Sequence, residues 1–328
     1  MVDNSAVSHK MSNMEQYLLV NFGGPRDLEE IGPFLKELLC DRDVIRTRFP
    51  SFLHNWIFSR LAQKRSLKIR EDYEFIGGKS PIYFDTEALA IALSKQLTAQ
   101  VLTFHRYLKE THADSLKKIS AAKDLKVIPL FPQFSFATTG SIARFFSKYV
   151  KVNLQWVKSY PDHPAFIGAY QRRVAEFLEA QNLKEEETVL FFSAHGLPKS
   201  FVEQGDPYQA ECESSFKALM EKFPKALGKL CYQSKFGRGE WLRPYTNEAA
   251  VEISSWNQGR KNVVFVPISF TSDHIETLFE IEKLYLPLVG ANAYRCPALN
   301  LESYWIKALA EIAEETNLSD NQCLVRKK

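Results

Sequence analysis

The fold is decided by two stretches of the chain, VLFFSAHGLP at residues 189–198 and VVFVPISFTSDHIETLFE at residues 263–280. Each stretch begins with an unbroken apolar run and ends in a polar cluster. Unbroken apolar runs of this length are typical of strands buried on both faces of a parallel sheet. In open α/β sheets, ligands bind just beyond the carboxyl ends of such strands. The two stretches therefore predict an α/β fold in which His195, Asp273, His274 and Glu276 lie around one crevice.

Strand-like runs recur along the whole chain in two groups of four. They fall at 17–22, 101–105, 126–131 and 153–157, and again at 188–193, 229–233, 262–268 and 292–296. Helical patterns separate most of these runs, as expected of βαβ units with right-handed crossovers. The pattern predicts two similar doubly wound domains, each with a four-stranded parallel sheet flanked by helices.

The domain limits follow from the same pattern. We expect a disordered tail at 1–14, an N-terminal α/β domain at 15–160 and a C-terminal α/β domain at 161–328. A final helix at about 301–316 is expected to pack back on the first domain. Two domains of this size each have ample room for a hydrophobic core.

Composition excludes several classes of protein. The 328 residues are 45% hydrophobic and 13% aromatic, which is typical of a globular chain and suits a flat apolar ligand. The net charge of +3 gives no case for a nucleic-acid partner. Five cysteines without a C-x-x-C pair indicate reduced thiols and a cytoplasmic location. We expect no signal or transit peptide, and no apolar run approaches the roughly 20 residues needed to span a bilayer.

The polar cluster of the second stretch has two interpretations. Asp273 and Glu276 have the spacing of a capping box, in which they would only start a helix. That interpretation leaves His274 and Glu280 unexplained. Glu276 and Glu280 are four residues apart and repel each other, and a cation or a shared proton would relieve the repulsion. His195, at the end of its strand, is open to a structural as well as a catalytic interpretation.

Two other motifs fail on inspection. Gly78-Lys79-Ser80 resembles the end of a phosphate-binding loop, but the glycine required five positions earlier is Tyr73. The chain also has no G-x-G-x-x-G, so no nucleotide is expected. Ser193 has no G-x-S-x-G around it, and a serine hydrolase is set aside.

The segment at about 45–70 differs in character from the rest of the chain. It holds seven basic residues and no acidic one. Apolar residues recur in it at near-helical spacing, namely Phe49, Phe52, Leu53, Trp56, Ile57 and Leu61. An apolar stripe edged with positive charge is typical of a helix that lies in a membrane interface. An ordinary amphipathic helix that packs inward fits the periodicity equally well.

Several motifs, in order along the chain, resemble those of one family. They are NFGGP (21–25), IREDYEFIGGKSP (69–81), FPQFSFATTGS (131–141), SAHGLP (193–198), GDPY (205–208), YQSKFGRGEWLRPYT (232–246) and FTSDHIETLFE (270–280). Together they resemble the ferrochelatases, enzymes that insert ferrous iron into a porphyrin to make haem. The resemblance runs from about Gln16 to about Glu315, nearly the whole chain.

The resemblance implies roles for individual residues. It makes His195 the base, with Glu276 as its carboxylate counterpart across the cleft, and both of them metal contacts. The charge pattern of the second stretch, independently of the resemblance, predicts a proton and metal path through Asp273, His274 and Glu280. The resemblance places six residues around the porphyrin, namely Phe22, Arg65, Tyr73, Ser80, Phe131 and Trp241. Arg65 and Ser80 would bind propionates, and Trp241 is the least core-like of the six. The 45–70 segment would form a hydrophobic lip over the pocket.

The resemblance also bears on cofactors and partners. Iron would be a substrate, with no metal permanently bound. Some ferrochelatases hold an iron-sulfur cluster on four cysteines, but here Phe136 takes the internal cysteine position and the tail has one cysteine. No cluster is therefore expected. The expected reaction uses protoporphyrin IX; coproporphyrin as substrate and a non-catalytic porphyrin carrier are the alternatives. The lip implies peripheral contact at the inner face of a membrane.

Overall fold

The computed structural model describes residues 15–237, 239–290, 292–315 and 317–326, so the tail expected at 1–14 lies outside the described residues. Four parallel strands form the centre of a first sheet: β1 (Gln16–Asn21), β2 (Gln100–His105), β3 (Asp124–Pro129) and β4 (Asn153–Trp156). Their order is β2-β1-β3-β4. β1 is buried along nearly its whole length because it lies between two strands and under helices on both faces.

A second sheet repeats this plan. Its strands are β5 (Thr188–His195), β6 (Leu227–Gln233), β7 (Asn262–Val266) and β8 (Ala293–Arg295), in the order β6-β5-β7-β8. All pairings are parallel. The central strand β5 is buried from Thr188 to Ala194 and emerges only at His195. The predicted α/β fold with two parallel sheets is confirmed.

The first sheet differs from the prediction in one respect. A ninth strand, β9 (Ser319–Asp320), pairs antiparallel with β4 and makes a fifth strand. The expectation of four strands in this sheet was wrong because a two-residue strand has no periodicity to detect. Residues 319–320 thus lie in the same sheet as β1.

Helices cover both sheets. In the first half they are α1 (Ile31–Leu39), α2 (Ser51–Lys68), α3 (Arg70–Phe75), α4 (Pro81–Leu97), α5 (His112–Ser120) and α6 (Thr139–Tyr149). In the second half they are α7 (Pro164–Ala180), α8 (Lys199–Glu203), α9 (Tyr208–Met220), α10 (Thr246–Val251), α11 (Ile253–Trp256), α12 (Leu286–Val289) and α13 (Ser303–Ala313), together with a π-helix at Glu276–Tyr285.

The helix expected at about 301–316 is α13, which contacts both halves of the molecule. It packs against α4 and against α7. Its Trp305 is fully buried, with its ring 6.4 Å from that of Tyr160 and 6.2 Å from that of Phe166. The position of a boundary near residue 160 stays a prediction.

Helix α2 lies in the segment with the basic and apolar stripe. It buries only His54 and Ala62 fully. Phe52 is 77% exposed and Trp56 is 54% exposed, so these large apolar side chains face outward. Inward packing of the stripe is therefore wrong for these two residues. Within the described ranges, no helix is long and apolar enough to cross a membrane.

Candidate active site

Three titratable side chains meet beyond the carboxyl ends of the second sheet. His195 is the last residue of β5, and Glu276 is the first residue of the π-helix that follows β7. His195 Nε2 lies 3.6 Å from Glu276 Oε1, and His274 Nε2 lies 3.7 Å from Glu276 Oε2. The Glu276 carboxylate therefore lies between two imidazoles.

The His195 ring is held in one orientation. Its Nδ1 donates to the carbonyl oxygen of Gly196 at 2.5 Å, which leaves Nε2 as the nitrogen that faces Glu276. The backbone of His195 is fixed as well, since its N–H donates to Ser269 Oγ and its carbonyl accepts from the Tyr208 hydroxyl, both at 3.0 Å. The His195 side chain remains 40% exposed, so it is positioned but accessible.

Gly196 allows this arrangement by its lack of a side chain. A Cβ at residue 196 would lie 2.7 Å from the Gln233 carbonyl oxygen and 3.1 Å from Trp241 Cε3. The Gly196 N–H donates to that same carbonyl at 2.7 Å. Any larger residue would push β5 and β6 apart just where His195 leaves the sheet.

Glu276 and Glu280 are both on the π-helix but have opposite proton affinities. Burial raises the pKa of Glu280 to about 7, and the negative charge of Glu276 adds to the increase. Burial also opposes ionisation of Glu276, but interactions with His195 and His274 hold its pKa well below the usual range. Near neutral pH, Glu276 is thus an anion while Glu280 exchanges its proton, a combination suited to proton relay.

Glu280 is fixed by the end of β6. Its Oε2 accepts hydrogen bonds from Ser234 Oγ at 2.5 Å and from the Tyr285 hydroxyl at 3.4 Å. Gln233 Nε2 donates to the backbone carbonyl of Glu276 at 2.9 Å. β6 therefore holds two successive turns of the π-helix, whose i→i+5 bonding is rare outside functional sites.

His274 is buried beside these carboxylates. Burial alone would lower its pKa, but Glu276 and Asp273 raise it above the ordinary value for histidine. Its Nδ1 donates to the Ser272 carbonyl at 3.2 Å, so Nε2 faces Glu276. A protonated His274 compensates the charge that Glu276 retains.

The structure does not join Asp273 to this group. Its carboxylate accepts from Arg295 Nη1 at 2.9 Å, from Asn300 Nδ2 at 2.8 Å and from the Ala298 N–H at 3.3 Å. Asp273 therefore connects the loop before the π-helix to the segment after β8. The capping-box interpretation is wrong, because the helix has Ile275 at its N-cap and no side chain caps it.

Comparison with known proteins identifies the family. The sequence model described as Ferrochelatase matches residues 17–317. A ferrochelatase of Chlamydia abortus is 45% identical over 316 residues, which cover 94% of this chain and 98% of the relative. A ferrochelatase of Chlamydia muridarum is 44% identical and covers 92% and 95%. The chain belongs to the ferrochelatase family. It is an enzyme of haem biosynthesis, a lyase that inserts ferrous iron into a porphyrin, as predicted.

Solved structures agree at the level of the fold. The ferric-iron-bound SirB from Bacillus subtilis superposes with a TM-score of 0.53 at 15% identity, covering 92% of this chain and 95% of that one. CbiX, described as the terminal enzyme of sirohaem biosynthesis in denitrifying bacteria, gives 0.50 at 19% identity, covering 72% and 93%. Both support a chelatase-type architecture.

The ferrochelatase resemblance assigned six residues to the porphyrin. Four of them contact one another, lie near Glu276 or contact the loop after β6. The half-buried rings of Phe22 and Phe131 lie 4.7 Å apart, in the segments that follow β1 and β3. Tyr73 is buried, and burial and then the charge of Glu276 raise the pKa of its hydroxyl. The Arg65 guanidinium lies 4.5 Å from the centre of the Phe236 ring. Arg65 thus links α2 to the loop after β6.

The other two of the six are buried more deeply than expected. Ser80 is buried and packs against Gly24. A Cβ added to Gly24 would lie 2.4 Å from Ser80 Oγ. Trp241 is only 8% exposed, and it forms an isolated bridge with Pro198. The view of Trp241 as the least core-like residue was wrong because its polar, glycine-rich neighbours conceal its packing against Gly196.

Two residues of the site were missed from sequence. Gln233 and Ser234 hold the π-helix, yet each lies more than 40 positions from its partner in the chain. The available signal was their place at the end of a strand that neighbours the one ending in His195, since parallel neighbours end at the same edge of a sheet.

Proposed function

We propose that this enzyme uses protoporphyrin IX, with His195 as the base that removes pyrrole protons and Glu276 as its charge partner. The observation that carries the proposal is the 3.6 Å approach of His195 Nε2 to Glu276 Oε1 at the open end of β5. A neutral imidazole next to a carboxylate accepts a proton readily, because the resulting cation is stabilised by the anion.

The reaction releases two protons for each ferrous ion that replaces them on the pyrrole nitrogens. In the proposed route, His195 takes a pyrrole proton, the Glu276 anion stabilises the imidazolium that forms, and Glu280 carries the proton away from the cleft. Glu280 suits this role because its raised pKa, about 7, lets it bind and release a proton near neutral pH. Imidazole and carboxylate also suit ferrous iron as transient ligands.

The choice of protoporphyrin rests on the charge of the assigned lining. Among the six residues assigned to the porphyrin, Arg65 is the one cation, and most of the others are aromatic. Protoporphyrin carries two propionates and coproporphyrin carries four, so a lining with few cations suits the former.

An anaerobic absorbance assay tests the proposal. The protein is mixed with protoporphyrin IX or coproporphyrin III, and then with ferrous or zinc ions. We expect metallation of both, with the higher kcat/KM for protoporphyrin. A higher value for coproporphyrin would overturn the substrate assignment while leaving the family unaffected. Binding of both porphyrins without metallation would instead indicate a carrier.

We also propose that the enzyme works without a permanent metal or iron-sulfur cluster. Burial raises the pKa of the Cys231 and Cys296 thiols to about 12, and Cys212 is fully buried too, so these three are poor sources of thiolate. In the described part of the chain, no group of three or more His, Cys, Asp or Glu side chains is arranged for a metal ion. Acid-labile sulfide at one cluster per chain would contradict this proposal.

A cytoplasmic enzyme with peripheral contact at the inner face of a membrane is the remaining part of the proposal. The outward-facing Phe52 and Trp56 of α2, with the exposed Phe49 just before it, support it. Exposed basic residues, including Arg60 and Lys64, accompany them and favour an anionic leaflet.

A further inference from the structure

Two arginines from opposite ends of the chain meet on one side chain of the second half. Arg46 lies in the loop between α1 and α2, and its guanidinium carbon is 3.4 Å from the centre of the Phe201 ring. Arg46 Nη1 donates to Gln204 Oε1 at 3.0 Å, and Arg326 Nη1 donates to that same oxygen at 3.2 Å. A neutral amide oxygen is therefore the shared acceptor of two cations.

The donors of these two arginines are under-used. Nε and Nη2 of Arg46 and Nε of Arg326 are buried and have no hydrogen-bond partner among the described residues. Within those residues, neither guanidinium has a carboxylate within 4.0 Å. Buried donors of this kind are normally satisfied by an anion or by water.

Neighbouring charges do not supply that anion. The Asp43 carboxylate is already paired with Arg144 Nε at 2.5 Å. Arg144 Nη2 also donates to the carbonyl oxygen of Arg326 at 2.9 Å. The Asp206 carboxylate is occupied by the Ser135 hydroxyl and by the N–H groups of Phe136 and Tyr208. Among the described residues, these two positive charges therefore have no paired carboxylate at this junction.

We propose that Arg46, Arg326 and the Gln204 position form a binding site for a phosphate-class oxyanion. A doubly charged tetrahedral anion balances two guanidinium groups and offers several acceptors to their forked donors. Gln204 is exposed, so an incoming anion can displace its amide oxygen and take both guanidinium groups. The hydrogen bonds and ion pairs of this site involve none of His195, His274, Glu276 and Glu280.

Occupancy would connect three separate segments. These are the loop that leads into α2, the helix α8 that follows the His195 turn, and the C-terminal segment after β9. Burial, and then the positive charge of Arg326, lower the pKa of Arg46 to about 10, although the charges of Asp206 and Asp43 oppose this decrease. A bound anion would stabilise the folded protein by mass action.

The first test uses inorganic phosphate as the probe. The full chain is melted at increasing phosphate concentrations, against sodium chloride at matched ionic strength, and binding is measured by titration calorimetry. We expect a phosphate-specific rise in Tm and one site per chain. Arg46→Met and Arg326→Met should each weaken phosphate binding by about tenfold or more. The matched control is Arg48→Met, which removes an exposed charge two residues away and should bind like the wild type.

A second variant keeps the test decisive if the arginine variants fold poorly. Gln204→Glu supplies a carboxylate at the shared acceptor, so it should raise Tm without phosphate and remove the response to phosphate. No phosphate-specific shift in the wild type, or equal loss in Arg48→Met, would overturn the site and indicate an adventitious ion only. Glycerol phosphate and inorganic phosphate are compared to distinguish a phosphate ester from the free ion. None of these readouts depends on metallation.

Discussion

The two sheets have similar topologies, but different kinds of side chain follow the carboxyl ends of their strands. After β1 and β3 of the first sheet come Phe22 and Phe131, two rings that pack on each other. After β5 of the second sheet comes His195, which meets Glu276 beyond β7. One plan of parallel strands thus presents an aromatic surface from one half and a titratable group from the other. We infer that the first half mainly binds the ring and the second half mainly moves protons.

The largest expected effect is that of His195→Ala. Loss of a general base should lower kcat by roughly 100- to 10,000-fold, whereas the aromatic contacts from the first half should keep porphyrin affinity within a few-fold of the wild type. Stopped-flow metallation with zinc and fluorescence titration of porphyrin measure the two quantities. Equal loss of both would break the division of roles between the halves.

Glu276→Gln should come next, with a loss of about 100-fold in kcat. The amide keeps the shape of the side chain but cannot take a proton or balance a cation. Its matched comparison is Asp273→Asn, three residues earlier, which breaks the pair with Arg295. Arg295 keeps Glu282 at 2.7 Å, so that variant should lower the free energy of unfolding by about 1–3 kcal/mol and leave turnover near the wild-type value. Near-normal turnover in Glu276→Gln would return Glu276 to a structural role.

Phe131→Ala tests the aromatic half. Loss of the Phe22–Phe131 contact should raise the KM for porphyrin by roughly tenfold, with kcat nearly unchanged, because the ring does not touch the proton route. Steady-state kinetics at varied porphyrin concentration separate the two constants. A fall in kcat at constant KM would assign chemistry to the first half and contradict the comparison.

A smaller effect is expected from the titration of Glu280. Its pKa in the folded protein is raised to about 7, so the folded state holds this proton over a pH range in which the unfolded state has lost it. Its contribution to stability is therefore lost as pH rises toward 7. Glu280→Gln should remove that loss, and at pH 8 the variant should be more stable than the wild type, by up to about 3 kcal/mol. Urea melts at pH 5 and pH 8 measure the difference; equal pH slopes would contradict it.

In the second half, the strands and the residues at their ends could be predicted from sequence. The side-chain contacts between those strands and the π-helix could not. The strands β5 and β7 were found because both of their faces are buried, which produces unbroken apolar runs. His195 and Glu276 follow from the ends of those strands. Ser234 was not found, because its bond to Glu280 joins residues 46 positions apart and exists only because β6 lies beside β5.

Charge counted along the chain misled in a different way. Arg46 is one of the seven basic residues of the segment at 45–70, and the sequence predicts that its charge lies at the edge of the apolar stripe. In the structure it turns toward the second half and stacks on Phe201. Sequence spacing predicts which face of a helix a residue shares, but Arg46 precedes α2 and lies in a loop, where no period applies.

The smallest expected effect concerns the exposed apolar residues in and just before α2. If the first half binds the porphyrin and the second half moves protons, these residues should affect substrate uptake and not the chemical step. Replacing Phe49, Phe52 and Trp56 with serine should reduce binding to anionic vesicles and raise the KM for vesicle-delivered porphyrin by a few-fold. The kcat should be unchanged, because these exposed side chains lie outside the His195 and Glu276 group. Each nearby basic residue adds roughly 1 kcal/mol of attraction to an anionic leaflet, so binding should also weaken as salt is raised.

Ile91→Ser with Val251→Ser is the matched control, since these residues are 61% and 62% exposed but belong to α4 and α10. Loss of exposed apolar area is therefore similar in kind, while α2 and its basic residues are intact. The control should sediment with vesicles as the wild type does. If the triple variant and the control bind vesicles equally well, α2 does not contact the membrane. The exposed apolar side chains of α2 then have a different role.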